Sequence, residues 1–161
     1  MIGNDIVDLA LAKKESDWKR KGYLDKIFTV SEQLLIQKST NQELAIWNLW
    51  SRKEAVYKII VQKGGKRGYY PTKIECLDLN LENGMVQFEK QIFHTKTIVT
   101  GDSVYSIAVE NVSDIQNIKT LENSHLLYKV DGIPFISINN EVKNASKTHH
   151  GTFERIVYLD A

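Results

Sequence analysis

One long segment, from Asn41 to Lys63, carries the strongest helical pattern in the chain and limits how the remainder can fold. Its apolar residues recur with helical spacing and lie within about 40° of Leu49 on a helical wheel. They are Ala45, Leu49, Val56 and Ile60. Asn41 is a favourable N-terminal cap, with Ser39 and Thr40 as alternatives, and Gly64-Gly65 marks the end of the segment. We predict a helix of these bounds with one face against a core.

A strand and two shorter helices are predicted ahead of the long helix. The opening segment Ile2–Leu9 is rich in β-branched residues and predicts a short strand. The polar stretch from Ala10 to Lys21 predicts a surface helix. Thr29 and Glu32 have the spacing of a capping box, which predicts a further helix from Val30 to Lys38.

Strands dominate the sequence after Pro71. The segments with this pattern are K-I-E-C-L-D-L, M-V-Q-F-E, K-T-I-V-T, S-V-Y-S-I-A-V-E, F-I-S-I-N and F-E-R-I-V-Y-L. Asn83-Gly84 and Gly101-Asp102 predict hairpin turns, and Asp114–His125 predicts a flexible or inserted connection. The predicted fold class is therefore α+β, with an N-terminal strand, a helical segment containing one long helix, and then an antiparallel sheet.

Composition restricts the class of protein. Hydrophobic residues make up 42% and charged residues 25% of the 161 residues, values typical of a globular domain with its own core. The formal net charge of +1 gives no global attraction to nucleic acid or to an anionic membrane. No stretch approaches the roughly 20 apolar residues that cross a bilayer. We expect a single domain over residues 1–161, located in the cytoplasm, that binds neither nucleic acid nor membrane.

The face of the long helix opposite the apolar stripe carries Trp47, Ser51, Glu54 and Lys58. Glu54 and Lys58 stand at i and i+4, and their simplest interpretation is a surface ion pair contributing about 0.3–0.5 kcal/mol. Trp47, with Trp50 beside it, indicates that something covers this face, because two tryptophans are unfavourable on a plain surface. Asp5 is a second carboxylate that Mg²⁺ can use together with phosphate oxygens. The residues alone leave an ion pair, a partner-binding surface and a metal site open.

Three separated segments resemble motifs of the 4′-phosphopantetheinyl transferase superfamily. I-G-N-D-I-V-D-L is similar to the family's opening G-x-D-I-V-E-I, with Asp5 at the metal-binding aspartate. I-F-T-V-S-E and W-S-R-K-E-A-V-Y-K are similar to L-T-x-x-E and W-S-x-K-E-A-x-x-K. A-S-K-T-H-H-G-T-F is similar to S-x-S-H-x-G-x-F, with Thr148 in place of the second serine and His149 at the histidine. The resemblance is close over residues 2–79 and looser over 132–159.

This resemblance implies a Mg²⁺-dependent transfer of 4′-phosphopantetheine from coenzyme A to a serine of an acyl or peptidyl carrier protein, with release of adenosine 3′,5′-bisphosphate. It makes Asp5 and Glu54 the metal ligands. Glu54, or a water on the metal, is then the general base, and Lys58 stabilises or protonates the leaving phosphate. Lys58, Thr148 and His149 are expected to contact coenzyme A, His149 from a neighbouring subunit.

The order of the segments is that of the small holo-acyl-carrier-protein synthases, although W-S-R-K-E-A leans toward the double-length surfactin type. Val7 stands where the surfactin-type enzymes carry a second acid. A half-length chain of this type implies a homotrimer with coenzyme A between adjacent subunits. The chain is longer than the typical small enzyme, which predicts an insertion at about 80–128, between Asn80 and Tyr128.

Several features leave alternative interpretations of the function and of individual residues open. The departure at Thr148 and the insertion motivate a non-catalytic relative that binds coenzyme A or a carrier protein. Lys53 lies between the two helix faces and is expected to contact solvent only. The pair His149-His150 is a poor zinc site, because adjacent histidines point apart in a strand.

The basic residues of the first surface helix predict either a docking face for an acidic carrier protein or a solvated face. These are Lys13, Lys14, Lys19, Arg20 and Lys21. The carrier's pathway, fatty-acid synthesis or a secondary pathway, stays open.

Overall fold

The computed structural model describes residues 1–79 and 82–161 and contains two antiparallel sheets and four α-helices within those ranges. The helices are α1 (Leu9–Glu15), α2 (Tyr23–Ile27), α3 (Val30–Lys38) and α4 (Gln42–Gln62). The strands are β1 (Ile2–Asp8), β2 (Ile74–Cys76), β3 (Asn83–Phe88), β4 (Gln91–Val99), β5 (Ser103–Val109), β6 (Ile118–Thr120), β7 (Leu127–Val130), β8 (Ile133–Ile138), β9 (Glu141–His150) and β10 (Phe153–Leu159). The first sheet has the order β1-β5-β4-β3-β2, and the second has the order β6-β10-β9-β8-β7.

Helix α4 packs across the first sheet, against β1 and β5. Asn41 caps its start by accepting the Leu44 amide at 3.0 Å, as expected for this residue type. The approach to β1 is so close that a Cβ atom at Gly3 would lie 1.9 Å from the Ala55 carbonyl oxygen. Glycine at position 3 therefore allows α4 to lie directly over β1.

Strand β1 contributes to two apolar clusters because its side chains alternate between faces. Val7 joins the main cluster beneath α4, which includes Leu49, Val56 and Ile59. Ile2 and Ile6 belong to a second cluster that also contains Tyr105, Ile107, Val109 and Val157. This second cluster joins the two sheets. Among the described residues, no helix has the length and apolar composition needed to cross a membrane.

At the free edge of β1, the backbone amides and carbonyls form hydrogen bonds with side chains and not with another strand. Its amides at Asn4, Ile6 and Asp8 donate to Ser146 Oγ, Thr148 Oγ1 and His150 Nδ1 of β9, at 3.0, 3.2 and 2.8 Å. The carbonyls of Ile2 and Asn4 accept hydrogen bonds from Gln62 and Lys58 of α4, at 2.8 and 2.6 Å. Since alternate residues of β9 make these bonds, the second sheet is held in one register beside β1.

The structure confirms the predicted α+β class, the long helix and the capping box. In the capping box the Glu32 amide donates to the Thr29 hydroxyl and the Thr29 amide donates to the Glu32 carboxylate, each at 3.2 Å. The turn predicted at Asn83-Gly84 is wrong, because both residues lie inside β3. The predicted turn at Gly101-Asp102 does join β4 to β5. The predicted surface helix from Ala10 to Lys21 is too long, since α1 ends at Glu15.

The region of the predicted insertion divides between the sheets. Residues 83–109 form β3, β4 and β5 of the first sheet, while 118–120 form β6 of the second. The interpretation of 1–161 as one domain with an insertion at about 80–128 stays a prediction. The first residue of the predicted insertion, Asn80, lies outside the described residues. The connection predicted at 114–125 contains β6 and parts of two 3₁₀ segments.

Candidate active site

A cleft of about 190 Å³ lies between β1, α1, α4 and the end of β9. Asp5, Glu54 and His149, which come from three separated parts of the chain, all line it. Trp47 and Trp50 form part of its wall. The close packing of α4 on β1 and the side-chain bonds between β1 and β9 bring these residues together. The motifs predicted that Asp5 and Glu54 meet and that His149 comes from a neighbouring subunit, whereas here all three line one cavity of the same chain.

The Asp5 carboxylate is largely buried and held by two neighbours. The Thr148 hydroxyl donates to its Oδ1 at 3.2 Å, and the Lys58 ammonium lies 3.5 Å from the same oxygen. Burial raises the pKa of Asp5, while Lys58 and Thr148 act in the opposite direction and do not fully offset it. A further positive charge in the cleft would therefore favour the ionised form of Asp5.

The side chain of Glu54 has no hydrogen bond or ion pair with any residue of 1–79 or 82–161. Burial, followed by the negative charge of Asp5, raises the pKa of Glu54 to about 7, with Lys58 opposing. The surface ion pair between Glu54 and Lys58 does not form, because Lys58 turns toward Asp5. The cleft thus brings Asp5 and Glu54 together, and a third carboxylate, Glu15, lines it beside His150.

Lys58 sits where the two sheets meet. Its ammonium donates to the carbonyl oxygens of Asn4 at 2.6 Å and Lys147 at 3.4 Å, in addition to its ion pair with Asp5. These contacts place a fixed positive charge beside the carboxylates. The side chain keeps 29% of its surface exposed, so a bound anion can still reach it.

Thr148 and His149 are neighbours on β9, where Thr148 is buried and His149 lines the cleft. The Thr148 hydroxyl accepts from the Ile6 amide and donates its one hydrogen to Asp5. A serine at this position would offer the same hydroxyl, and the threonine therefore preserves the bond. His149 is exposed and lines the cleft of its own chain, so no neighbouring subunit is needed to bring it there.

Two residues next to the site fix α1 relative to β9. Asp8 caps α1 by accepting the Leu11 amide at 3.1 Å, and this amide bond is the main cause of its lowered pKa. A Cβ atom at Gly151, whose φ is +57°, would lie 2.1 Å from Asp8 Oδ2. His150 accepts the Asp8 amide at Nδ1, and its Nε2 lies 3.2 Å from Glu15. The sequence analysis did not predict that Asp8 caps a helix, although an aspartate directly before a helix is a recognisable cap signal.

Lys53, next to Glu54, is structural. Its ammonium lies 2.6 Å from Glu32 and donates to the carbonyls of Ile27 and Pro71 at 2.8 Å each. Glu32 also accepts the Cys76 amide at 2.8 Å. The expectation that Lys53 contacts solvent only is wrong, because the side chain is 1% exposed. The ion pair links α3 and α4 to the first sheet beneath the cleft.

Ser51 and Arg52 belong to a buried polar network on the sheet side of α4. The Ser51 and Ser106 hydroxyls lie 2.7 Å apart, and Ser106 is 2.9 Å from Thr97. Arg52 donates to Thr97 at 3.2 Å and to Asp78 at the same distance. Three of the four consecutive residues 51–54 thus anchor the helix, and this anchoring directs Glu54 into the cleft.

The two tryptophans are covered by the protein itself. Trp47 is 5% exposed and packs in the main apolar cluster together with Ala12 of α1, while Trp50 is half-buried against the same cluster. The inference that something covers this helix face is confirmed. The alternative of a small interaction domain presenting these tryptophans to a partner is weakened, since Trp47 is unavailable.

Among the described residues, no cluster of three or more His, Cys, Asp or Glu side chains can hold a metal by itself. The cleft does supply a pair of carboxylates, Asp5 and Glu54, and Glu54 has no competing partner in the described chain. This donor set fits a hard cation that takes its other ligands from water and phosphate oxygens. It does not fit zinc in an all-protein site.

Comparison with known proteins bears on both fold and family. No curated protein sequence matches the chain. Holo-[acyl-carrier-protein] synthase of Helicobacter pylori, solved in complex with coenzyme A, is 19% identical with a TM-score of 0.55, covering 69% of this chain and 100% of that one. The Neisseria meningitidis enzyme is 20% identical with a TM-score of 0.52, covering 68% and 96%. The Thermotoga maritima enzyme is 18% identical with a TM-score of 0.52, covering 78% of each chain.

These structural likenesses show a shared fold, and the family comparison adds membership. Residues 1–110 match the 4′-phosphopantetheinyl transferase superfamily, which includes Asp5, Glu54 and Lys58 but not the segment around Thr148 and His149. The match spans well over half of the chain and confirms the resemblance predicted from the motifs. The chain therefore belongs to the 4′-phosphopantetheinyl transferase superfamily.

Proposed function

We propose that the protein transfers 4′-phosphopantetheine from coenzyme A to a serine of an acyl or peptidyl carrier protein and releases adenosine 3′,5′-bisphosphate. The observation that carries this proposal is the meeting of Asp5, Glu54 and His149 around one cleft, with Lys58 3.5 Å from Asp5. Family membership and the likeness to a holo-[acyl-carrier-protein] synthase solved with coenzyme A support the same reaction.

Asp5 and Glu54 are the proposed ligands of Mg²⁺. Their facing charges and the raised pKa of both groups indicate a site where a cation would be stabilised. When bound, Mg²⁺ would reduce the negative charge of the coenzyme A pyrophosphate and make its phosphorus more open to attack. Lys58 would supply a second, fixed positive charge on the same side of the substrate.

The chain's own groups then perform the proton and charge chemistry. Glu54 accepts the proton of the carrier serine hydroxyl as the serine oxygen bonds to phosphorus. The bond between that phosphorus and the bridging pyrophosphate oxygen breaks, and adenosine 3′,5′-bisphosphate leaves. Lys58 stabilises the charge that develops on the leaving phosphate, and His149 contacts a phosphate oxygen.

The carrier protein would approach over α1. Lys13 and Lys14 lie in the last turn of this helix, whose residues Ala12 and Glu15 line the cleft. A basic helix end beside the site favours encounter with an acidic partner. Exchanging Lys13 and Lys14 for glutamate is expected to raise the carrier KM and leave coenzyme A affinity unchanged.

The finer assignments stay predictions. The holo-acyl-carrier-protein synthase type rests on the order of the motifs, the homotrimer rests on that type, and cytoplasmic location rests on composition. Sedimentation of the purified protein measures the oligomeric state directly.

The non-catalytic alternative loses part of its motivation, because Thr148 makes the hydroxyl bond to Asp5 that a serine would make.

The decisive experiment incubates the purified protein with coenzyme A, Mg²⁺ and a panel of apo carrier proteins, followed by mass spectrometry of each carrier. We expect one phosphopantetheine group to be added to at least one carrier, and none with Glu54→Gln or Asp5→Asn. Glu43→Gln, in the first turn of the same helix, is the matched control and should retain activity. A folded protein that modifies no carrier would contradict the catalytic proposal.

A further inference from the structure

Two adjacent histidines of β9 line the candidate cleft, and their surroundings differ. The side chain of His149 makes no hydrogen bond or ion pair within 1–79 and 82–161. His150 is engaged at both ring nitrogens, since Nδ1 accepts the Asp8 amide at 2.8 Å and Nε2 lies 3.2 Å from the Glu15 carboxylate. Asp8 caps the start of α1 and Glu15 is its last residue, so one imidazole is bonded at both ends of this helix.

The hydrogen bonds of His150 fix the position of its ring hydrogen. A backbone amide can only donate, so Nδ1 presents its lone pair to Asp8, and the hydrogen of the neutral imidazole is on Nε2. Nε2 therefore donates to the Glu15 carboxylate. A metal ion at Nε2 would require the hydrogen to move to Nδ1, which already faces the Asp8 amide. His150 and Glu15 thus form a hydrogen-bonded pair and not a metal site.

The two ends of α1 are held differently. Of the seven residues of this helix only Ala12 is buried. The first turn is capped by Asp8, whose carboxylate accepts the Leu11 amide at 3.1 Å. In the last turn, 56% of the Glu15 side chain is exposed, and its bond to His150 joins this turn to β9. Because the turn is short and mostly exposed, loss of that bond would let it open without unfolding the core.

The last turn of α1 forms part of the cleft wall. Ala12, Glu15 and Ser16 line the cleft from this turn, and Glu54 lines it from α4. The position of the turn therefore sets how much room remains beside Glu54. A protein segment carrying an acceptor serine has to enter this room for its hydroxyl to reach Glu54, and a misplacement of about 1 Å can slow a reaction by about 100-fold.

We propose that His150 and Glu15 are positioning residues, whose hydrogen bond holds the last turn of α1 where the cleft admits the serine-bearing segment of the carrier protein. Neither side chain touches the reacting atoms. This inference rests on the proposed function and deepens it, since it names the contact that shapes the carrier's side of the same site. The residues proposed to contact coenzyme A belong to α4 and β9, and β9 stays bonded to β1 when Glu15 is changed.

Amide hydrogen exchange of the protein alone tests the contact without any substrate. The Ser16 amide, which donates to the Ala12 carbonyl at 2.9 Å, reports opening of the last turn. We expect this amide to exchange about fivefold faster in Glu15→Ala. His150→Asn keeps an acceptor for the Asp8 amide but is too short to reach Glu15, and should show the same increase. Glu15→Gln keeps an acceptor oxygen for Nε2 and should exchange as the unaltered protein does.

Transfer kinetics with varied carrier protein, and calorimetric titration with coenzyme A, test the consequence for the site. Glu15→Ala should raise the carrier KM about fivefold and change coenzyme A affinity by less than about twofold. Glu15→Gln should restore the carrier KM. Asp17→Ala removes the same charge from an exposed residue that does not line the cleft, and should match the unaltered protein in every assay.

The outcomes separate this inference from the proposed reaction. Unchanged exchange of the Ser16 amide in Glu15→Ala overturns the contact even if the protein modifies carriers. Equal changes of the carrier KM in Glu15→Ala and Glu15→Gln would trace the effect to charge and overturn the positioning role. Faster exchange with an unchanged carrier KM in an active protein overturns that role as well. The expected exchange pattern in a protein that modifies no carrier supports the hold on α1 and contradicts the reaction, and with it the role toward a carrier.

Discussion

Thr148 donates a hydrogen bond to the Asp5 carboxylate at 3.2 Å, across 143 positions of sequence. The same hydroxyl accepts the Ile6 amide, so one side chain ties the metal-ligand candidate to the second sheet. Groups that orient a metal ligand commonly change metal affinity or activity by about 10–100-fold when removed. We expect Thr148→Val to lower kcat/KM by a factor in this range and to weaken the apparent affinity for Mg²⁺.

The matched control for this change is Thr148→Ser, which keeps the hydroxyl and removes only the methyl group. It should retain activity within about threefold, and its Mg²⁺ dependence should be unchanged. Steady-state kinetics over a Mg²⁺ titration measures both quantities. Equal behaviour of the valine and serine variants would show that the hydroxyl does not position Asp5.

Glu54 gives the stability of the metal-free protein a specific pH dependence. Its pKa rises from an ordinary value of 4.5 to about 7 on folding, because burial and Asp5 disfavour the charged form. Between these values the folded state binds more protons than the unfolded state, so the free energy of unfolding falls as pH rises from about 4.5 through 7. Glu54→Gln removes this contribution and should stabilise the metal-free protein by about 3 kcal/mol at pH 8, with little effect below pH 4.5.

Thermal unfolding in the presence of a chelator, at low pH and at pH 8, measures this difference. Adding Mg²⁺ at pH 8 should raise the Tm of the unaltered protein and not that of Glu54→Gln, because a ligand stabilises only the state that binds it. If Glu54→Gln changed the Tm equally at both pH values, the charge of Glu54 would not be the cause of the pH dependence of stability.

The buried pair of Lys53 and Glu32 predicts a large loss of stability. The ammonium lies 2.6 Å from the carboxylate, with both side chains nearly inaccessible. Burial raises the pKa of Glu32 and Lys53 opposes that rise, so Lys53→Met leaves a buried carboxyl group without its cation. We expect a loss of about 3–5 kcal/mol in the free energy of unfolding, measured by urea denaturation.

Lys73→Met is the control for that change, since Lys73 is exposed and lies close by at the start of the first sheet's β2. A surface substitution of this kind should alter stability by no more than about 0.5 kcal/mol. A similar effect of both methionine variants would mean that the Lys53–Glu32 pair contributes little.

Gly3 sets the distance between α4 and β1 and therefore between Glu54 and Asp5. A Cβ atom there would meet the Ala55 carbonyl oxygen at 1.9 Å, so Gly3→Ala must displace the helix. We expect a loss of about 2–4 kcal/mol in stability, together with lower activity of the folded fraction. At Gly101, a Cβ atom meets nothing within 4 Å, and Gly101→Ala should be neutral or slightly stabilising in the same assays.

The sequence predicted Asp5, Glu54 and Lys58 as site residues because their motifs are compact, and it identified α4 because caps and apolar spacing agree. The helical wheel did not predict which residues on the remaining faces of α4 are buried. A single apolar stripe cannot reveal that Ser51, Arg52 and Lys53 are buried among polar partners supplied by distant segments.

Strand β9 was missed for a related reason. Ser146, Thr148 and His150 alternate toward the β1 edge and bind its amides, so the strand lacks the apolar alternation by which strands are recognised. The cavity of about 440 Å³ between α4 and the β7–β8 hairpin could not be predicted either. Arg67 and Lys129, which line it, share no motif and come together only in the folded chain.

A site completed within one chain makes a prediction about mixed oligomers. In the structure His149 lines the same cleft as Glu54 of its own chain, whereas the family resemblance implied a histidine from a neighbouring subunit. Glu54→Gln and His149→Ala, co-expressed with different tags and purified together, should therefore show no activity beyond that of the separate variants. A site shared between subunits would instead recover activity, since some interfaces would pair an intact Glu54 with an intact His149. Unaltered protein co-purified with Glu54→Gln is the control, and its transfer rate should scale with the unaltered fraction.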